Sequence, residues 1–197
     1  MRPNRLAEHN SHISGRRDDL RCQVEKVVGS KGRLVWEVGC GHGHFLTAYS
    51  KANPDQICVG VDIMSDRVIR ANRKRERARL PHLHFIRADA TDFLAVMPDD
   101  ARFTSVFVLF PDPWPKRRHH KNRVMTAEFL SAVASRSAKS ACLYFRTDHE
   151  EYFHGVAAML RTHRDWQEHE DTAFPLEEPT VFQKRSAVHF TLVATRR

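Results

Sequence analysis

Asp112 stands between two prolines in Phe110-Pro111-Asp112-Pro113-Trp114-Pro115, and a basic run from Lys116 to Arg123 follows directly. A fixed acid beside an indole suits recognition of one flat, hydrogen-bonding ligand such as a nucleobase. The cations after it suit phosphate. Each proline fixes its own φ and steers its predecessor away from helix, which predicts Asp112 and Trp114 on a stiff, extended loop. On composition alone the same stretch is a Pro-rich turn with a solvated basic tail. Signals upstream decide between the two readings.

The second constellation is Gly39-Cys40-Gly41-His42-Gly43, preceded by Glu37. Glycines let a backbone turn tightly and approach a ligand closely. A dinucleotide fingerprint needs G-x-x-G after the first glycine pair, and here the last spacing is shorter. Asp62 closes the next apolar run, where an acid can bind a ribose diol, and Asp89-Ala90 follow the third, beside the place of an adenine. S-adenosylmethionine asks for these parts: ribose hydroxyls for an acid and backbone approach to its amino-acid end. It carries no pyrophosphate, so a helix-dipole cradle matters less. The residues favour S-adenosylmethionine over NAD.

These motifs need a scaffold that brings them to one edge. Apolar runs at Leu34–Val38, Ile57–Asp62, His84–Ile86, Thr104–Phe110, Ala141–Phe145 and Ala187–Ala194 read as strands. Helical spacing occupies Asp18–Val28, Phe45–Lys51, Ser65–Arg79 (with Ser65 as its cap), Thr91–Met97, Thr126–Arg136 and His149–Arg161. Such alternation predicts one doubly wound α/β domain with a mostly parallel sheet and helices on both faces. Glu37, Asp62, Asp89, Asp112 and Asp148 then fall at the carboxyl ends of strands, where such sheets bind ligands. Asp89 also suits a helix cap.

The sequence has 197 residues and 41% hydrophobic content, enough for a substantial single core. We divide it into a loose basic arm, residues 1–17, and a domain, 18–197. No apolar run approaches the ~20 residues of a membrane span, and the polar start lacks the apolar stretch of a secretory signal. Cys22, Cys40, Cys58 and Cys142 lie far apart, which predicts reduced thiols in a cytoplasmic protein. The close histidine pairs lack a carboxylate or cysteine at metal spacing, so no metal is expected, and no Ser/His/Asp arrangement is suggested. A net charge of +8 favours a polyanionic partner. Basic residues cluster at 67–79 and 116–123, each after a strand, which places both at one rim of the sheet and points to nucleic acid.

Glu37 to Gly43, Asp62, Asp89 and above all Phe110 to Lys121 resemble the bacterial tRNA (guanine-N7)-methyltransferase family, whose F-P-D-P-W-P-K-x-R-H-x-K hallmark is specific. The resemblance covers about residues 34–195, including Arg146-Thr147-Asp148 and Thr180-Val181-Phe182-Gln183. It implies a class I, Rossmann-like S-adenosylmethionine-dependent fold with seven strands. It implies that Glu37, Asp62, Asp89 and Asp112 line the cofactor and active site, and that Lys116, Asp148, Thr180 and Gln183 contact the substrate. The chain departs from the family pattern at Gln183 (for Glu), His44 (for a frequent Glu), Asn122 (for Arg) and in lacking a glycine before the fifth strand.

Guanine N7 presents an in-plane lone pair and no proton, so attack on a sulfonium methyl needs no general base. Catalysis is then placement and water exclusion, with Asp112 the first candidate to stabilise the developing charge, by its field or by accepting from guanine's N–H edge, and Asp148 the second. Trp114 is a candidate for stacking on a base. Lys116, Arg117, Arg118, Lys121 and Arg123 read as phosphate contacts. Two other readings stay open: the same fold acting on a small purine-like heterocycle, and a non-catalytic RNA-binding subunit.

Overall fold

Seven strands form one sheet in the computed structural model, which describes residues 5–29, 32–169, 173–176 and 188–197, with side chains from residue 15 onward. They are β1 (Arg33–Val38), β2 (Ile57–Asp62), β3 (Leu83–Arg87), β4 (Arg102–Leu109), β5 (Ser137–Thr147), β6 (Trp166–His169) and β7 (Phe190–Arg196). The helices are α1 (Arg5–Val28), α2 (His44–Ala52), α3 (Ser65–Ala78), α4 (Ala90–Val96), α5 (Ala127–Arg136) and α6 (Glu150–Thr162), with a 3-10 turn at Arg117–Asn122.

Strand order is β3-β2-β1-β4-β5-β7-β6. The first five strands run parallel, and β7 runs antiparallel to both of its neighbours. Order reverses between β1 and β4, and it is beyond the carboxyl ends at such a switch point that doubly wound sheets bind ligands.

Strands buried on both faces read as continuous apolar runs, and β1 is one. Its Leu34, Trp36 and Val38 enter the layer packed by α1, α4, α5 and α6. Val35 enters the opposite layer, with Phe45, Leu46 and Tyr49 of α2 and Val68 and Ala71 of α3. Trp36 stacks 5.0 Å from Phe103 and lies 5.1 Å from Phe93. Truncating such a ring to alanine costs roughly 3–5 kcal/mol, because the surrounding structure collapses only partly into the void.

Five expectations change. The resemblance implied seven strands and seven are present; sequence spacing marked six and missed β6, because of Trp-Gln-Glu-His only Trp166 is buried, so it carries no alternation. β5 starts at Ser137, before its apolar segment. Ser65 is the first helical residue of α3, and its cap position is Met64, which has no side-chain cap bond. Helix α1 begins at Arg5 rather than Asp18; residues 9–15 include His9, Asn10, Ser11, His12, Ser14 and Gly15, so neither propensity nor an apolar stripe marks this first part in the sequence. Residues 5–17 are therefore helical, and Arg17, placed in the arm, pairs with Asp92 of α4 at 2.8 Å. Finally, α3 spans about 21 Å at 1.5 Å per residue, so the cluster 67–79 extends along the helix away from the rim instead of sharing it with 116–123.

Candidate active site at the sheet switch point

Glu37 alternates toward the α2 side of β1 and is 4% exposed. Its carboxyl receives a backbone hydrogen bond from Leu46, one of the donors that the first turn of α2 leaves without a helical partner. Its Oε2 is buried with no partner among the described residues. Burial pushes its pKa up to about 8; the Leu46 bond opposes that, nearby Asp62 adds to it and Lys74 opposes it. Lys74 reaches from α3 to donate to the His42 carbonyl at 2.9 Å.

The three glycines of the loop do different jobs. Gly39 and Gly41 have φ of +67° and +53°, and a Cβ on either would meet open space. Gly43, at φ +66°, would drive a Cβ to 2.7 Å from Phe85 Cε1 and 2.9 Å from Ala71 Cβ. The first two leave room for a ligand at the switch point. The third seats the start of α2 against α3 and β3.

Asp62 is buried at the end of β2. Its Oδ2 accepts from the Gly41 N–H at 2.9 Å and its Oδ1 from the Met64 N–H at 2.8 Å. Arg67 lies 3.6 Å from Oδ2. Two exposed apolar residues, Ile63 and Met64, follow directly. Asp62 pairs with Arg87 across β2 and β3, so Asp89 and Ala90 begin α4 close by. Asp89 caps that helix through the Thr91 N–H at 2.8 Å and also takes the Thr91 hydroxyl.

Across the switch point, the loop after β4 carries Asp112. Phe110 donates its N–H to the Arg146 carbonyl at 2.7 Å, prolonging the β4–β5 pairing. Phe110 and Trp114 have φ of +50° and +44°. Trp114 is thus not extended as the pre-proline rule predicts; two bulky residues occupy the left-handed region around Asp112, a strained arrangement that clusters at functional sites. The Trp114 ring meets His119 edge-on at 5.8 Å. Asp112 is exposed, and its carboxylate has no partner among the described residues. Lys116, Arg117, Arg118 and Lys121 are exposed, whereas Arg123 turns inward with a side chain 10% exposed. Asp148 is exposed just past β5. Thr180 and Gln183 lie outside the described residues.

Glycine spacing and strand-ending acids marked Glu37, Asp62 and Asp112, and the topology brings them to neighbouring strand ends. The sequence reading did not single out Ile63 and Met64, whose exposure after the strand-ending Asp62 only the structure shows. It also missed the clamping roles of Lys74 and Arg123, which a run of cations conceals.

Other arrangements offer less chemistry. Ser131, His163 and Asp165 adjoin, but the Asp165 N–H donates to His163 Nδ1 at 3.2 Å, which leaves the ring proton on Nε2. That nitrogen lies 3.1 Å from Ser131 Oγ and cannot take its proton. Among the described residues no group of three His, Cys, Asp or Glu side chains could hold a metal ion. None of their helices is long and apolar enough to cross a membrane. A groove of about 550 Å³ between α2 and α3 is lined by His44, Thr47, Lys51, Lys74, Arg77 and Leu176.

The profile of a family described as "Putative methyltransferase" matches residues 31–190. A protein from Geobacter metallireducens named tRNA (guanine-N(7)-)-methyltransferase is 30% identical over 158 residues, covering 79% of this chain and 75% of that protein. The chain belongs to the tRNA (guanine-N7)-methyltransferase family. A member from Rhodococcus jostii is 33% identical over 154 residues, or 76% of this chain, and the chain spans 60% of its length. Among solved structures, an aminoglycoside-resistance methyltransferase superposes with a TM-score of 0.60 at 17% identity, covering 90% of this chain and 93% of that one. This second likeness concerns the fold.

Proposed function

We propose that this member of the tRNA (guanine-N7)-methyltransferase family is an S-adenosylmethionine-dependent enzyme that methylates guanine N7 in tRNA. The observation that carries the reading is the pairing of the Gly41 N–H with Asp62 at 2.9 Å, with the strained Asp112 loop on β4, the other side of the switch point. The residues present fit the cofactor. Gly39 and Gly41 leave open space, the buried Oε2 of Glu37 has no partner among the described residues and could take an ammonium, and Asp62 keeps lone pairs for ribose hydroxyls. Ile63 and Met64, with Asp89 and Ala90 across from them, would flank the adenine, and Gly43 holds the loop's end.

S-adenosylmethionine supplies the electrophilic methyl group. Asp112 is the catalytic residue of the proposal: its carboxylate, without a partner among the described residues, accepts from the N–H edge of guanine and stabilises the positive charge that develops as N7 is alkylated. No group need remove a proton, so the chain's contribution is alignment. Lys116 and Asp148 would contact the nucleotide, together with Thr180 and Gln183. Exposed cations at 116–121, and Arg70, Arg73 and Arg77 on α3 with Arg79 just past its end, would hold the RNA backbone. We retain residues 1–17 as a basic N-terminal segment ahead of the catalytic domain, 18–197. Of that segment, residues 5–17 continue α1, and Arg17 pairs with Asp92 of α4.

The test is methyl transfer from labelled S-adenosylmethionine to unmodified tRNA, with the product nucleoside identified. 7-Methylguanosine is expected. Cofactor binding without label on tRNA would favour a small heterocycle as substrate. Neither binding nor transfer would leave an RNA-binding subunit.

A further inference from the structure

Arg123 ends the basic run and by sequence reads as a phosphate contact, but its donors are spent inside the protein. Its Nε donates to the Pro113 carbonyl at 2.7 Å. Its Cζ lies 4.7 Å from the centre of the Tyr152 ring, and the Tyr152 hydroxyl accepts from the Met125 N–H at 3.0 Å. Its Nη2 is 3.0 Å from His120 Nε2, and both terminal nitrogens are 3.5 Å from Glu151 Oε1. An arginine is always a donor, so in this contact the His120 nitrogen accepts.

Pro113 is the residue after Asp112. Phe110 and Trp114, on either side of this segment, hold φ of +50° and +44°. Such conformations cost on the order of 1–3 kcal/mol each and persist only where neighbours enforce them. Among the contacts that hold this one are the Phe110 N–H bond to Arg146 at one end and Arg123 at the other, beside the ring contacts of Phe110 with His189 and of Trp114 with His119.

We propose that Arg123, anchored on Tyr152 and Glu151 of α6, is a positioning residue for methyl transfer. It fixes the Pro113 carbonyl and so the direction in which Asp112 faces the reacting base, and it makes no phosphate contact. The inference rests on Asp112 acting on the guanine, as proposed above.

The experiment compares Arg123→Met, Arg123→Lys and Glu151→Gln for kcat, for the KM of tRNA and for the dependence of tRNA affinity on salt. Misplacing a catalytic group by about 1 Å can cost roughly 100-fold, so Arg123→Met should lower kcat about 10- to 100-fold. KM and the salt slope should stay unchanged. Arg123→Lys keeps one donor for Pro113 and should recover part of the loss, while Glu151→Gln should show a smaller loss of the same kind. A phosphate contact would instead raise KM and flatten the slope by about 0.7–0.9, and that result overturns the proposal. So does full kcat in Arg123→Lys and Glu151→Gln together, which decides the matter if Arg123→Met does not fold. Asp112→Asn separates the two claims: if it retains activity, the parent reading fails; if it is inactive while the Arg123 variants are not, only this inference fails.

Discussion

Gly41 donates its backbone N–H to Asp62 Oδ2 across 2.9 Å, tying the loop after β1 to the end of β2. Met64 occupies the other carboxylate oxygen at 2.8 Å. Hydrogen bonds to a charged group are worth about 1.5–3 kcal/mol each, and removing the acceptor leaves both donors stranded. Asp62→Ala should therefore weaken S-adenosylmethionine binding about 10- to 100-fold and lower the melting temperature of the free protein. Calorimetric titration and thermal melting check the two effects separately.

Asp112→Ala removes a carboxylate that makes no bond among the described residues, so the melting temperature should hold. Losing one electrostatic stabiliser of a transition state typically costs about 100- to 1,000-fold in kcat. Rates on tRNA, with melts on the same preparation, test this; an active variant would leave Asp112 without its assigned role.

The Glu37 carboxyl titrates near pH 8 when folded, against an ordinary value of 4.5. A raised folded value means that the native state holds a proton that the unfolded chain has released. Its contribution to stability is thus full below about pH 4.5 and lost progressively up to about pH 8, on the order of a few kcal/mol. Unfolding curves of the cofactor-free protein should show this decline. Glu37→Gln, which keeps the shape without the charge, should flatten it.

Gly43→Ala and Gly41→Ala share a strained φ but not a setting. At Gly43 the added methyl meets the buried Phe85 ring, so overpacking and left-handed strain combine to roughly 2–4 kcal/mol. At Gly41 only the strain remains, about 1–2 kcal/mol, and the loss should appear in cofactor affinity. Denaturant titrations of both variants, beside cofactor binding, distinguish a packing glycine from a ligand-facing one.

Arg70, Arg73 and Arg77 are exposed at spacings of three and four on α3, which aligns them along one stripe. Replacing all three with alanine should reduce the slope of log affinity for tRNA against log salt by about 2–3. Affinities measured across a salt series give the slope, and an unchanged one would remove this helix from the RNA surface.

The central parallel sheet was legible because strands buried on both faces, such as Leu34–Val38 and Ile57–Asp62, leave an unbroken apolar record. The strand-ending acids inherited that clarity. β6 was not legible, since one buried tryptophan among Gln167, Glu168 and His169 matches no period. The backbone at Phe110 and Trp114 was misread for a different reason. Local preference before proline points to extended chain, and tertiary contacts from Arg123 and Arg146 override it. Arg123 itself was hidden by its neighbours: a sequence shows charge, not the direction in which a guanidinium turns.

β7 lies between β5 and β6 in the sheet although it follows both along the chain. That places a constraint on the order of assembly. The five parallel strands can pair as they emerge, but Trp166–His169 has no partner strand until Phe190–Arg196 arrives and inserts. Until then β5 presents a bare strand edge, the kind of surface on which nascent chains pair with one another and aggregate. Completion of the sheet is thus a late, non-local step, and the sequence from 190 to 196 acts as the closing piece on which the far end depends.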